Sequence, residues 1–218
     1  MNVGVLASGG GTNLQALIDA QLKGVLLPAK VVVVGSNVPG CGAMERAVRA
    51  GLPAFAIDHK QFAQRAEFDD QLALKLQAFN VECVVLAGFM RLLSASFLER
   101  FEAGVINIHP ALLPAFPGVH AQKQALEYGV KFAGCTVHFV DAGMDTGPII
   151  AQAVIPVRHD DTEASLQKRL LQEEHKLLPA AVRAHAEGRI VREGRHVRLQ
   201  GASLPTPDSS WSSLPALD

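Results

Sequence analysis

The chain predicts an α/β fold, a mainly parallel sheet with helices on both faces. Short valine-rich runs alternate with longer stretches of helical spacing, and runs such as Val31-Val32-Val33-Val34 and Val81 to Ala87 are apolar on both faces. Strands of that kind must be covered on both sides, which is the condition of a parallel sheet. With 218 residues, 49% of them hydrophobic, the chain is long enough for one domain with a sizeable core.

Val3 to Ala7 reads as the first strand, followed by a helix over Leu14 to Leu22, with Thr12 and Asn13 as its starters. Val31 to Val34 is a buried strand. Cys41 to Ala50 is a helix stopped by Gly51, and Ala54 to Ile57 a short strand. A long amphipathic helix is expected from Phe62 to Phe79, with Phe68, Leu72, Leu76 and Phe79 on one face. Strands follow at Val81 to Ala87 and Val105 to Ile108. Pro110, Pro114, Pro117 and Gly118 then force an ordered loop at the sheet edge. A helix (Gln122 to Tyr128), a strand (Cys135 to Val140), a glycine-bounded loop and a strand (Ile149 to Val154) come next. A final helix runs from Thr162 to Ala186, and Arg189 to Leu199 forms a hairpin around Glu193-Gly194. One domain is expected over residues 1–199. Residues 200–218, rich in Ser, Pro and Leu, read as a flexible tail.

Charge and cysteine usage exclude several classes. The 20 basic residues nearly cancel the 21 acidic ones, which gives no electrostatic reason for a nucleic-acid or membrane partner. No apolar run reaches the roughly 20 residues needed to span a bilayer, and no basic leader precedes an apolar stretch. Cys41, Cys83 and Cys135 are odd in number and widely spaced, which argues against a disulfide framework or zinc knot. A cytoplasmic protein without a metal site is expected.

Chemistry concentrates in two places. After the first strand, Ser8-Gly9-Gly10-Gly11-Thr12-Asn13 leads into a helix N-terminus, where free amides and the helix dipole favour an anion. The run lacks Gly-Lys-Ser/Thr, and Leu14 breaks the dinucleotide spacing, so a small phosphomonoester is the fitting ligand. A side chain at Gly11 is expected to fill the space of a phosphate oxygen. An ordinary glycine turn is the competing reading. The second place is Asn107-Ile108-His109-Pro110 together with Asp145 in Met144-Asp145-Thr146-Gly147-Pro148. An amide donor, an imidazole and a carboxylate, with no placed nucleophile, suit direct acyl transfer between amines. The amide stabilises an oxyanion, the imidazole moves protons, and the carboxylate orients and charges the imidazole. Asn107 and His109 share one side of a strand by period-two alternation, at the edge where open parallel sheets bind ligands. Asp145 on its own context is equally a turn residue.

The other histidines invite plainer readings. His59, His159, His185 and His196 sit among polar neighbours and are expected to be solvated. His138, in a strand, reads as a satisfied core residue, and His175 lies within the last helix. His120 follows a Pro-Gly turn and either lines the site or packs.

Taken together, Ser8 to Asn13, Leu86-Ala87-Gly88-Phe89-Met90-Arg91, Asn107 to Pro110 with Leu112-Leu113-Pro114, Pro117-Gly118-Val119-His120, Gly134 to Val140, and Asp145-Thr146-Gly147-Pro148-Ile149 resemble the phosphoribosylglycinamide formyltransferases. The resemblance covers roughly residues 2 to 190. It implies a Rossmann-like formyltransferase fold and transfer of formyl from 10-formyltetrahydrofolate, a co-substrate, to the amine of glycinamide ribonucleotide in purine biosynthesis. By position it assigns catalysis to Asn107, His109 and Asp145. The ribose phosphate falls to Gly11, Thr12 and Asn13, the ribose hydroxyls to Glu174, and the substrate amide to Gly88 and Pro110. Folate contacts fall to Arg65, Met90, Arg91, Leu92 and Leu93, with Asn107 and Asp145. The pterin loop is Val140, Asp141, Ala142, Gly143 and Met144, acting largely through backbone groups. A monomer and a homodimer both fit. Methionyl-tRNA formyltransferase is similar but adds a nucleic-acid-binding barrel, and formyltetrahydrofolate deformylase adds an N-terminal regulatory domain. Two alternatives stay open: a formyl hydrolase, and a non-catalytic module that binds a phosphorylated ligand through the glycine-rich loop.

Overall fold

Seven strands form one sheet in the order β3-β2-β1-β4-β5-β6-β7. They are β1 (Asn2–Leu6), β2 (Lys30–Ser36), β3 (Ala54–Ala56), β4 (Cys83–Leu86), β5 (Val105–His109), β6 (Phe132–Phe139) and β7 (Ile149–Pro156). A separate pair, β8 (Ile190–Glu193) and β9 (His196–Leu199), makes the expected hairpin. The helices are α1 (Thr12–Leu22), α2 (Gly42–Arg49), α3 (Arg65–Gln77), α4 (Ala95–Leu98), α5 (Ala121–Tyr128) and α6 (Glu163–Ala186). The computed structural model describes residues 1–201, so the flexibility expected of the tail falls almost wholly outside the described residues.

β1, β2, β3, β4 and β5 pair in parallel, while β6 and β7 are antiparallel additions. The chain winds outward from β1 to β3 and returns to place β4 on the other side of β1. This reversal makes the C-terminal ends of β1 and β4 a topological switch point, where crossovers leave in opposite directions and open a crevice. The glycine-rich loop leaves β1 there.

Alternation along β1 divides the core. Val3, Val5 and Ala7 face Leu14, Leu17 and Ile18 of α1 and Leu177, Leu178 and Val182 of α6. Leu6 joins Val33, Val84 and Leu86 against Phe68, Leu72 and Leu76 of α3 and Phe97 of α4. α3 approaches so closely that a Cβ at Gly4 would lie 2.9 Å from Leu76 Cδ2. Truncating a fully buried ring such as Phe68 to alanine would cost about 3–5 kcal/mol. The first half of α6 covers the antiparallel strands through Leu166 and Leu170 on Ala133 and Ile155.

Several boundaries move for local reasons. Gly11, in the left-handed region, is the N-cap of α1 without any side-chain cap bond, so Thr12 and Asn13 are its first helical residues rather than its caps. The expected helix from Phe62 to Phe79 is shorter. A 3-10 turn at His59–Gln61 ends in extended Phe62, and α3 starts at Arg65. Phe79 lies past the helix end, 36% exposed, because the chain turns through Asn80 at φ 53°. α4 is a single turn capped by the Ser94 hydroxyl, too short for any periodic signal.

Candidate active site

β5 delivers Asn107 and His109 to the sheet edge, and antiparallel pairing sets Asn107 opposite His138 and His109 opposite Thr136. Asp145 arrives on the loop between β6 and β7 and is the hub of the cluster. Its Oδ2 accepts from the Gly118 amide at 2.8 Å and lies 3.5 Å from His109 Nδ1. Its Oδ1 lies 3.5 Å from Asn107 Nδ2 and 3.7 Å from His138 Nε2. The cluster is withdrawn from water: His109 is 4% and His138 2% exposed. Asp145 adopts φ 54°, Phe116 φ 54° and His120 φ 58°, a left-handed backbone that non-glycine residues seldom take. Such conformations cluster where surrounding structure holds a site in place.

The hydrogen bonds assign protons. His138 Nδ1–H donates to the Phe139 carbonyl at 2.8 Å, leaving Nε2 to accept from Asn107 Nδ2 at 3.1 Å. That is the neutral ring, in keeping with a pKa pushed below the usual histidine value by burial. One Asn107 amide hydrogen is thereby committed to His138, and the second makes the long 3.5 Å bond to Asp145 Oδ1, the weaker of the two and the one an incoming oxygen would replace. His109 Nε2–H donates to the Phe116 carbonyl at 2.8 Å, so a second proton on Nδ1 would point at Asp145. Among the described residues, no group of three or more His, Cys, Asp or Glu is spaced to hold a metal ion.

The glycine-rich loop differs from expectation in one respect. Gly11 has φ 72°, and a Cβ there would meet Ala43 Cα of α2 at 2.7 Å, so its side-chain space faces protein rather than ligand. Gly9 and Gly10 have nothing within 4 Å of such a Cβ. Arg46 Nε donates to the Gly10 carbonyl at 2.7 Å and Ala43 N to the Gly9 carbonyl at 3.0 Å, so both carbonyls are held against α2. Thr12 is half-buried. Asn13 is buried, its Nδ2 donating to Glu174 Oε2 at 2.6 Å across the α1–α6 interface. Burial pushes the Glu174 pKa up, and the Asn13 bond partly opposes that.

On the other bank, Gly88 (φ 78°) turns the chain out of β4, and Met90 and Leu92 are exposed while Leu93 is buried. Arg91 stacks its guanidinium 5.2 Å from the Phe68 ring centroid, and exposed Arg65 lies one turn before Phe68 on α3. In the loop from Val140 to Met144, Asp141 Oδ1 accepts from Gly143 N at 3.1 Å and Thr146 Oγ1 at 2.6 Å. The Asp141 side chain therefore closes the loop. Exposed Ala142, Gly143 and Met144 present the loop outward, and Arg195 of the hairpin braces it through the Thr146 carbonyl. Pro110 follows His109, half-buried. The structure thus brings Asn107, His109 and Asp145 together, with the glycine-rich loop on one side and Gly88 to Leu93 nearby. Arg65 stands apart, with no contact to the cluster among those seen.

Sequence reasoning missed His138 as part of this cluster, reading it as a core residue. It is buried and satisfied, yet its partner is Asn107, and only the β5–β6 register shows that. Gly118 and the Phe116 carbonyl were missed too, because their parts are played by backbone. His185 is not solvated: its Nε2 donates to the Ala103 carbonyl at 2.7 Å and its ring packs edge-on to Phe139. His59 also has partners, with Nδ1 3.2 Å from Asn37 Nδ2.

Comparison with known proteins shows the family. A family model described as formyl transferase matches residues 1–182. A phosphoribosylglycinamide formyltransferase from Mycobacterium tuberculosis is 46% identical over 201 residues, covering 89% of this chain and 92% of that protein. This chain belongs to the phosphoribosylglycinamide formyltransferase family. Solved structures of this formyltransferase family share its Rossmann-like fold. Glycinamide ribonucleotide transformylase 1 from Symbiobacterium toebii superposes with a TM-score of 0.89 at 52% identity, covering 91% of this chain and 93% of that one. The trifunctional purine biosynthetic protein adenosine-3 of Drosophila melanogaster is 51% identical over 181 residues. Against six such trifunctional relatives, this chain spans only 13% to 19% of their length.

Proposed function

We propose that this chain transfers the formyl group of 10-formyltetrahydrofolate to the amine of glycinamide ribonucleotide, giving the N-formyl product and tetrahydrofolate for purine biosynthesis. The observation that carries this reading is the convergence of Asn107, His109 and Asp145, within 3.5 Å of one another through the Asp145 carboxylate, at the edge of the switch-point crevice. The neutral amine attacks the formyl carbon and forms a tetrahedral intermediate. The Asn107 amide hydrogen that makes the long bond to Asp145 Oδ1 turns to the oxyanion, a contact whose loss costs about 3 kcal/mol. Doubly protonated His109, held by Asp145, gives a proton to the folate nitrogen as its bond to the formyl carbon breaks, once the reactants displace the Phe116 carbonyl from the ring. The proton shed by the attacking amine returns to the imidazole. Buried His138 fixes the Asn107 amide so that its donor faces the reacting centre.

In this reading the ribonucleotide phosphate rests on the amides of Gly11, Thr12 and Asn13 at the N-terminus of α1. Glu174 takes the ribose hydroxyls, and Gly88 and Pro110 flank the substrate amide. The folate lies along Met90, Arg91, Leu92 and Leu93, with its pterin in the loop from Val140 to Met144 and Arg65 beyond it. Residues 1–199 form the catalytic unit, as monomer or homodimer. The setting is cytoplasmic: the three cysteines are free, and no described helix is long and apolar enough to cross a membrane.

Tetrahydrofolate formation, measured with and without glycinamide ribonucleotide, tests the proposal. Product only when the ribonucleotide is present supports transfer. Formate release without any acceptor would make the chain a hydrolase, and ligand binding without turnover would make it a binding module.

A further inference from the structure

Ser8 stands between the two banks of the crevice and bonds to both. Its backbone N–H donates to the Gly88 carbonyl at 2.9 Å. Its hydroxyl accepts from the Met90 N–H at 2.8 Å and donates to Asn37 Oδ1 at 2.6 Å. Asn37 is 4% exposed, so the acceptor that orients the hydroxyl is itself fixed.

The two banks do not depend on that hydroxyl equally. The glycine-rich loop has other restraints: the Gly9 carbonyl on Ala43 N, the Gly10 carbonyl on Arg46 Nε, and Ala7 N on the Gly35 carbonyl. The segment from Gly88 to Leu93 has no helix or strand bonding. Its far end is tied where Ser94 N donates to Asp69 Oδ2 at 2.8 Å. At its near end both backbone bonds go to Ser8, and the Met90 N–H has no other acceptor among the described residues.

We propose that Ser8 is a positioning residue for the folate: its hydroxyl, oriented by Asn37, sets the Met90 backbone and so the shape of the folate-side wall. This rests on the reading of Gly88 to Leu93 as that wall. With the hydroxyl gone, the Asn37 carbonyl oxygen loses its donor in a part-buried place and the Met90 amide loses its protein acceptor at the exposed rim, while the glycine-rich loop keeps its own anchors.

The test is steady-state kinetics on Ser8→Ala, Ser8→Thr, Asn37→Ala and the Ser8→Ala/Asn37→Ala double variant, with melting temperatures on the same preparations. Ser8→Ala should raise KM for 10-formyltetrahydrofolate by roughly fivefold to tenfold, the size of effect expected from the net loss of one ordinary hydrogen bond. KM for the ribonucleotide and kcat at saturation should stay within about threefold. Ser8→Thr, which keeps the hydroxyl, should restore most of the folate KM. Asn37→Ala should act in the same direction, and the double variant should be no worse than the more impaired single one. A folded Ser8→Ala with unchanged folate KM would overturn the proposal. So would equal rises in both KM values with a fallen melting temperature, since then the serine merely holds the fold. Direct titration with tetrahydrofolate separates this inference from the proposed reaction. If the unsubstituted protein binds tetrahydrofolate but shows no transfer, the reaction assignment fails, and weaker binding by Ser8→Ala still supports the positioning role.

Discussion

The Gly118 amide donates to Asp145 Oδ2 at 2.8 Å, and this bond fixes a carboxylate whose backbone sits at φ 54°. A left-handed non-glycine residue costs on the order of 1–3 kcal/mol unless its surroundings hold it. Here the holding contact comes from the Pro117-Gly118 loop, the same segment that brings the Phe116 carbonyl to His109. One loop therefore aims both groups that face the imidazole.

Asp145→Asn should separate charge from geometry. Asparagine tolerates the left-handed region and still offers an oxygen to Gly118 N. The melting temperature should change by only a few degrees, while turnover falls by at least about tenfold because His109 loses its ionic partner. A turn-only role for Asp145 forecasts the reverse, intact turnover in whatever protein remains folded.

Asn107→Ala and His109→Ala should each lower kcat by at least roughly a hundredfold, the scale of a lost oxyanion donor or general acid. Asn107→Ala also strips His138 Nε2 of its partner, so of the two it should show the larger loss of thermal stability. Near-normal kcat in either folded variant would remove that residue from the mechanism.

Much of this site was readable from residue types and local order. Asn107 and His109 share a strand face by alternation, and a β-branched strand ending in them points to the ligand edge. The fold followed from β-branched runs between helical stretches. What could not be read depends on pairing between distant segments. His138 joins the cluster only because β6 runs antiparallel to β5 in one register. Gly118 and Phe116 act through backbone atoms, on which side-chain chemistry is silent. Gly11 was recognised as special for the wrong reason, since the close approach of α2 at Ala43 is a tertiary fact.

That correction yields a paired experiment on the glycine-rich loop. At Gly9 an added Cβ has open space, with no protein atom within 4 Å beyond its chain neighbours, so a raised ribonucleotide KM there would report on ligand. Gly9→Val should keep its melting temperature and raise KM for the ribonucleotide. Gly11→Val combines a positive φ with a 2.7 Å clash on Ala43, and should lose stability before any ligand is added. An unchanged ribonucleotide KM in Gly9→Val would place the phosphate elsewhere.

The cysteines should differ sharply in reactivity. Burial pushes the Cys83 and Cys135 thiols up to about 12, and both are 0% exposed, whereas Cys41 is partly exposed. Because the thiolate is the nucleophile, iodoacetamide at pH 8 should label Cys41 alone in the native protein and all three cysteines after denaturation. Labelling of Cys83 or Cys135 at the Cys41 rate, read by peptide mass, would contradict their placement in the sheet core.

Glu174 sets a pH dependence whose sign can be worked out. Its folded pKa is raised above 4.5 by burial, against the opposing bond from Asn13. The folded state therefore holds a proton that the unfolded chain has released. The contribution of Glu174 to stability is fully present below about 4.5 and is lost as pH climbs through the raised folded value. His138 acts in the opposite sense, since its lowered pKa costs stability as pH falls below 6.5. Comparing melting temperatures of the unsubstituted protein and Glu174→Gln at each pH cancels the His138 contribution. The Gln variant should lack the decline on the upper side of the carboxylate range, and the gap between the curves should widen with pH. Under the proposed function, ribose hydroxyls would donate to the ionised carboxylate, so added ribonucleotide should recover stability in the unsubstituted protein as pH rises, and less so in Glu174→Gln. Parallel curves for the two proteins would mean that Glu174 keeps an ordinary carboxylate pKa despite its burial between α1 and α6.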